Sequence, residues 1–158
     1  MGFYLYGTTE DQDFMRTPSK TSWGVIEKNN LDAECAFKQF AGKSLEEAEE
    51  LFRDNALHYQ EDLLSMPSIA FNYYAPVFAK YVLSNNAKGD SDGASSFLHM
   101  VIELLQANRS LATGRTEQTL MAAAEIVALR QAFYDADIDI YGHFSDLYEQ
   151  IIQLAACS

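Results

Sequence analysis

The spacing of apolar residues predicts helices from residue 32 almost to the C-terminus. Apolar side chains recur at every third or fourth position, which places them on one side of an α-helix. The predicted helices cover residues 32–40, 45–63, 67–83, 94–108, 116–134 and 140–155. Residues 85–93, rich in Asn, Asp and Gly, form the clearest loop. The sequence therefore predicts an all-α domain, a compact orthogonal bundle of five to six helices.

The most apolar of these segments, residues 67–83, combines aromatic side chains with a proline. Its aromatic residues are Phe71, Tyr73, Tyr74, Phe78 and Tyr81. Their helical spacing predicts the central core helix. Pro76 removes one amide donor and clashes with the carbonyl four residues earlier, so a kink is expected there. Tyr73 and Tyr74 are adjacent and point about 100° apart, which would let one of them reach the surface.

The N-terminal 30 residues show no helical pattern. We expect an irregular segment packed on the bundle, with residues 3–6 as an extended arm or short strand and Trp23 docked on the main body. Just after this segment and the first predicted helix, Ser44 and Glu47 have the spacing of a capping box, which marks the start of the second helix.

Length and composition favour one soluble domain. The chain has 158 residues and no apolar run long enough to suggest a membrane span. Its first residues lack the features of a signal peptide. Cys35 and Cys157 have no metal-binding or redox spacing, and Cys35 is expected in the core. We therefore expect a cytoplasmic protein without a cofactor.

Charge narrows the possible partners. With 23 acidic and 11 basic residues, the net charge is −12. This charge argues against nucleic acid and anionic membranes as ligands, and it is compatible with a basic protein. Solubility alone would explain it equally well. The acids form two groups: residues 46–62 contain seven acids and one Arg, and residues 135–149 contain five acids and no Lys or Arg.

No sequence motif indicates catalysis. The chain lacks a phosphate loop, a dinucleotide fingerprint, a nucleophile elbow and a zinc signature. His58, His99 and His143 each precede an acid by three or four residues, so three pairs could bind a metal if they converged. Three surface pairs are the simpler interpretation. The sequence therefore favours a protein that is not an enzyme, and it predicts no metal site.

Residues 44–84 resemble a segment of small uncharacterised bacterial helical proteins, some of apparent toxin-immunity type. The resemblance rests on an acidic helix followed by Met66-Pro67, Ala70-Phe71-x-Tyr73-Tyr74-x-Pro76-x-Phe78 and Tyr81. It covers about a quarter of the chain. The resemblance implies a bacterial cytosolic helical protein without an obvious active site, and it carries over no catalytic residue.

These observations favour a non-catalytic acidic binding protein, of immunity type, that neutralises a basic partner. We predict steering by carboxylates and anchoring by an exposed tyrosine. The predicted contact residues are Glu46, Glu47, Glu50, Asp54, Tyr73, Tyr74, Asp137 and Asp139. Two alternatives remain open: a structural helical domain that self-associates through an aromatic patch, and a metal-dependent helical enzyme that uses the three histidines.

Overall fold

The computed structural model describes residues 16–157, and within this range the chain forms helices and no strand. The six longer helices are α1 (Leu31–Phe40), α2 (Leu45–Gln60), α3 (Ser68–Leu83), α4 (Ser91–Ala107), α5 (Gly114–Ala128) and α6 (Phe144–Ala156). Short 3-10 turns lie in each connection from α2 onward, and a one-turn helix, Ile138–Tyr141, precedes α6. The predicted all-α bundle of five to six helices is confirmed. The predicted arm or strand at residues 3–6 lies outside the described residues.

Helix α3 is the central element of the bundle, as its aromatic residues predict. It packs against α2, α4 and α5, and most of its side chains are buried. The ring of Phe78 stacks on Phe52 of α2, with centroids 4.8 Å apart, and meets Phe97 of α4 edge-on at 5.1 Å. Buried side chains from all six helices join this aromatic centre in one hydrophobic core. None of the described helices is both long enough and apolar enough to span a membrane.

The backbone departs from helical geometry at a position that the sequence analysis did not predict. Asn55 in α2 has φ −160° and ψ 82°, and its side-chain oxygen accepts a hydrogen bond from the amide of His58 at 3.1 Å. Asn55 therefore caps the last turn of α2 from inside the helix, because its amide side chain competes with the backbone for donors. Pro76 lies inside α3, which continues through it to Leu83. The kink expected at Pro76 stays a prediction.

Several helix boundaries differ from the predicted ones. Helix α4 begins at Ser91 because the Asp90 carboxylate caps the amide of Gly93 at 2.9 Å. Helix α5 ends at Ala128, and a 3-10 turn, Gln131–Tyr134, follows it. Gly142 has φ 72°, a left-handed conformation that glycine adopts without strain, and it separates the one-turn helix from α6.

The segment before α1 covers one side of α3. Trp23 is 4 % exposed, and its ring contacts Phe37 of α1 and Tyr74 of α3, with centroids 5.5 and 6.4 Å apart. The predicted docking of Trp23 is confirmed. The prediction that Cys35 lies in the core is wrong, since Cys35 occupies the exposed side of α1.

Two polar side chains fix the relative positions of helix ends. Asn72 of α3 is buried, donates to the carbonyl oxygens of Ser68 and Leu111, and accepts from the amide of Thr113 at 2.9 Å. These bonds hold the start of α5 against the first half of α3. Arg109 donates to both carboxylate oxygens of Glu117 and to carbonyls at the C-terminal end of α6. Charge-assisted bonds of this kind are stronger than neutral ones.

The predicted capping box at the start of α2 is present, and it allows a direct test of its contribution to stability. Ser44 Oγ accepts from the amide of Glu47 at 3.1 Å, and Glu47 Oε1 accepts from the amide of Ser44 at 2.9 Å. We expect Ser44→Ala to lower the free energy of unfolding by about 1 kcal/mol in urea titrations, because one helix-end amide loses its partner. Ser44→Asp, which keeps an acceptor, should stay within about 0.5 kcal/mol of the wild type. An equal loss of unfolding free energy for Ser44→Ala and Ser44→Asp would show that the side-chain acceptor at residue 44 does not stabilise the protein.

Candidate protein-interaction surface

The first group of predicted contact residues lies on the solvent side of α2. Glu46, Glu50 and Asp54 are exposed and follow one another at intervals of four residues, so they share one face of the helix. Glu47 is also exposed and takes part in the capping box. The hydrogen bond from the Ser44 backbone, followed by the bond with its side chain, lowers the pKa of the Glu47 carboxyl. This face is therefore open to solvent, and the hydrogen bonds of the capping box favour the ionised form of Glu47 at its start.

The second group surrounds the one-turn helix Ile138–Tyr141. Asp137 and Asp139 are exposed, and Asp137 Oδ1 accepts from the Asp139 amide at 2.8 Å. Asp137 therefore caps this short helix, which holds its carboxylate at a fixed place on the surface.

The structure adds three carboxylates that the sequence analysis did not include among the contact residues. The Tyr141 hydroxyl donates to Asp92 Oδ1 at 2.6 Å, and the Gly89 amide donates to the Phe133 carbonyl at 3.0 Å. These bonds bring the start of α4 against residues 133–141. We call the resulting cluster the acidic corner; its residues are Asp90, Asp92, Asp135, Asp137 and Asp139. Asp90, three residues before Gly93, has the spacing of a helix cap. That signal would have moved the predicted start of α4 from residue 94 toward the N-terminus.

The first turn of α4 also contacts α2. A Cβ built on Gly93 would lie 3.1 Å from the Cβ of Ala56 and 2.2 Å from Asp90 Oδ2, so only glycine fits this approach. The first turn of α4 thus adjoins both α2, which carries the first acidic group, and the acidic corner. The two acidic groups belong to neighbouring elements of the fold.

The expected tyrosine anchor is not at the surface. Tyr74 is fully buried, and its hydroxyl donates to the carbonyl oxygens of Phe40 and Lys43 at 2.8 and 2.7 Å. Burial raises the pKa of this hydroxyl. Tyr73 is 6 % exposed, and its hydroxyl lies 2.8 Å from Thr17 Oγ1. The prediction that one of the two tyrosines reaches the surface is wrong, because α1 and the segment before it cover that side of α3.

Exposed apolar residues occur in the acidic corner instead. Ile138 and Ile140 are 50 % and 73 % exposed, and they flank Asp139 in the one-turn helix. Tyr141, next in the chain, is half-buried with its hydroxyl held by Asp92. An apolar contact inside a ring of polar groups is typical of the centre of a protein interface. The sequence analysis placed Ile138 in a break between two helices and Ile140 at the start of an amphipathic helix, so it included neither among the contact residues.

The three histidines do not form a metal site. His58, His99 and His143 are all exposed. Within residues 16–157, His, Cys, Asp and Glu side chains nowhere come together in a group of three that could hold a metal ion. His58 Nε2 instead lies 3.2 Å from the side-chain nitrogen Nε2 of Gln39. The hypothesis of a metal-dependent enzyme therefore loses its basis, which was the convergence of the three histidine–acid pairs.

One carboxylate differs from the others because it is buried. Asp62, in the connection between α2 and α3, is 8 % exposed, and its Oδ2 has no hydrogen-bond partner. Burial raises its pKa to about 6, while His58 opposes the shift and Glu61 and Asp32 add to it. Asp62 contributes little to the acidic surface, and its main effect is on stability.

The fold and this surface define the chain as an all-α bundle with two neighbouring acidic groups. Comparisons of the chain with protein-family models, with curated proteins and with solved structures find no match.

Proposed function

We propose that this chain is a non-catalytic, cytoplasmic binding protein whose acidic surface receives a basic protein, as an immunity protein receives a basic toxin enzyme. The observation that supports this most directly is the position of the acids. Glu46, Glu50 and Asp54 on α2, and Asp137 and Asp139 in the acidic corner, all face solvent. A net charge of −12 gives the whole molecule a field that attracts a cation.

The acids would act mainly on the rate of encounter. Exposed charges of one sign attract an oppositely charged partner over a distance near the Debye length, which is about 8–10 Å at moderate salt. They add little to the lifetime of the complex, since exposed ion pairs contribute only about 0–1 kcal/mol each.

The apolar part of the contact would come from the acidic corner. Ile140, 73 % exposed, and its neighbour Tyr141 lie among carboxylates that a basic partner would neutralise. Once that partner excludes water, burying the isoleucine would slow dissociation. This assignment replaces the buried Tyr73 and Tyr74 as the anchor.

The test measures association of the purified chain with the protein encoded by the adjacent gene. We expect the association rate to fall about tenfold between about 20 and 500 mM NaCl. Asp137→Asn/Asp139→Asn should reduce that rate about three- to tenfold at low salt and leave it unchanged at high salt, where the charges are screened. Stopped-flow fluorescence would give these rates.

The matched control removes two carboxylates from other parts of the surface. Glu27 and Glu103 are exposed, and neither belongs to α2 or to the acidic corner. Glu27→Gln/Glu103→Gln should change the association rate less than about twofold. An association rate that does not depend on salt, or equal losses for both double variants, contradicts steering by the acidic corner. A lack of binding to the neighbouring protein contradicts the immunity type.

A further inference from the structure

Two breaks in the regular backbone delimit a short segment between α2 and α3. The first break is Asn55, with φ −160° and ψ 82°, and the second is Met66-Pro67, where both residues are extended. Between them, residues 56–65 form the last turn of α2 and a 3-10 turn, Leu63–Ser65. Residues at the ends of helices are the usual places where a hinge absorbs changes in φ and ψ. We call residues 56–65 the connecting segment.

A small number of contacts hold the connecting segment against α1. The ring of Tyr59 meets Phe40 edge-on, with centroids 6.2 Å apart, and His58 makes an exposed contact with Gln39. Leu63 is fully buried and adds apolar contact. Rotation of the segment away from α1 would break these contacts and expose Leu63. The open position is therefore a minor one, but the rest of the bundle can stay folded when it forms.

The connecting segment carries a carboxylate whose burial opposes the closed position. Asp62 is 8 % exposed, and no donor among residues 16–157 bonds to its Oδ2. Ionisation here is unfavourable, because burial removes the carboxylate from bulk water and no hydrogen bond to that oxygen replaces the lost hydration. Burial accordingly raises the pKa of Asp62 to about 6.

The charged groups around Asp62 come from its own segment and from α1. His58 lowers its pKa, whereas Glu61 and Asp32, the latter in the first turn of α1, raise it. Helix α3 also packs against the 3-10 turn, and apart from tyrosines it has no titratable residue within positions 68–79. The surroundings therefore do not compensate the charge of an ionised Asp62.

We propose that the connecting segment is a pH-sensitive switch: when Asp62 is ionised, the segment rotates outward about Asn55 and Met66-Pro67 and carries the carboxylate into water. The open position uncovers the ring of Phe40, which Tyr59 contacts in the closed position. The solvent-facing acids of residues 46–54 stay in place, because they precede the break at Asn55. The switch does not depend on the binding proposed above, and its test contains no partner, so the two proposals can fail separately.

Proton linkage gives the size of the effect. The closed position binds a proton more tightly than the open position, where the carboxyl group has its ordinary pKa of 3.8, so rising pH favours opening. The equilibrium constant for opening should increase about tenfold between about pH 5 and 8. It should change little above about pH 7, since Asp62 is then ionised in both positions.

Hydrogen exchange of single amides in the full chain, followed by NMR and corrected for the intrinsic effect of pH, tests the inference. The reporters are the amides of Asp62, Ser65 and Met66, which all donate to carbonyls of the connecting segment. Their protection should fall about tenfold between about pH 5 and 8 and should depend little on low concentrations of urea. Core amides of α4, such as Leu104, should exchange more slowly and respond strongly to urea, because they exchange by global unfolding.

Two variants separate the titration of Asp62 from other effects of pH. In Asp62→Asn the protection of the remaining reporters should stay within about twofold between about pH 5 and 8. Glu61→Gln makes the same chemical change at the next residue, which is exposed, and should keep a fall of about five- to tenfold. Reporter amides that respond to urea as strongly as α4 overturn the inference, since the segment would then open only with the whole protein. Protection that does not change with pH in the wild type, or that falls equally in Asp62→Asn, overturns it as well.

Discussion

Replacing Asp62 by Asn should stabilise the protein by about 2 kcal/mol at neutral to alkaline pH. Most substitutions of buried residues destabilise a protein, so a gain of this size would be unusual. The reason is that an ionised carboxylate is buried at this site with one oxygen lacking a partner, and the neutral amide avoids the cost of burying the charge.

The surroundings of Asp62 explain why the charge is not compensated. Burial makes the largest contribution to the raised pKa of about 6. His58 attracts the carboxylate, but Glu61 and Asp32 repel it. A pKa raised from 3.8 to about 6 corresponds to a cost of roughly 3 kcal/mol when the group is ionised. The Asn amide also lacks a full set of partners, which reduces the expected gain.

The pH dependence has a definite sign. Because the pKa of Asp62 is higher in the folded protein than in the unfolded chain, the folded state binds more protons between pH 3.8 and about 6. The wild type therefore loses this part of its stability as the pH rises through that interval. The advantage of Asp62→Asn should be complete above about pH 7 and should disappear near pH 4.

Urea denaturation of both proteins from about pH 4 to 8 measures this difference. Glu61→Gln is the matched control, since Glu61 is the next residue and is exposed. It makes the same chemical change and should alter the free energy of unfolding by less than about 0.5 kcal/mol. An Asp62→Asn variant that is less stable than the wild type at about pH 8 would show that Asp62 has a partner that stabilises its charge.

Apolar periodicity predicts most of this fold because it is a local property of the chain. The core residues of α4, among them Phe97 and Leu104, recur at helical spacing and are buried as expected. Boundaries depend on single side chains instead. Asp90 extends α4 toward the N-terminus, and Asn55 interrupts α2 by capping an amide from inside the helix.

The candidate surface was less predictable, because exposure depends on which elements cover one another. Glu46 and Asp139 are exposed as predicted, since charged side chains seldom lie in a core. Tyr74 is buried instead, because its ring has enough apolar area for the core. The carbonyls of Phe40, at the end of α1, and of Lys43, in the α1–α2 connection, satisfy its hydroxyl. Nothing in the local sequence shows that this connection passes over Tyr74.

The burial of Asp62 could not be predicted from the local sequence either. It ends a run of acids that the sequence assigns to a solvent-facing helix surface, yet it is 8 % exposed. The helix ends at Gln60, and the turn that follows directs Asp62 toward the interior. A period of 3.6 residues cannot be extended past the end of a helix, so periodicity misassigned this carboxylate.

The largest loss of stability is expected from Phe78→Ala, in the centre of the core. Phe78 is fully buried in α3, where its ring stacks on Phe52 and meets Phe97 edge-on. Truncation removes both aromatic contacts and leaves a cavity that three helices would have to close. We expect the free energy of unfolding to fall by about 3–5 kcal/mol, a large share of the roughly 5–15 kcal/mol of a typical domain.

Two variants separate the loss of aromatic contacts from the loss of volume. Phe78→Leu fills much of the site without a ring and should cost about 1–2 kcal/mol. Ile69→Ala shortens a side chain that is 53 % exposed on the same helix, and it should cost less than about 1 kcal/mol. Chemical denaturation would give all three values. If Phe78→Ala cost no more than Ile69→Ala, α3 would not be the central element, and the core would have to rest on α4 and its other neighbours.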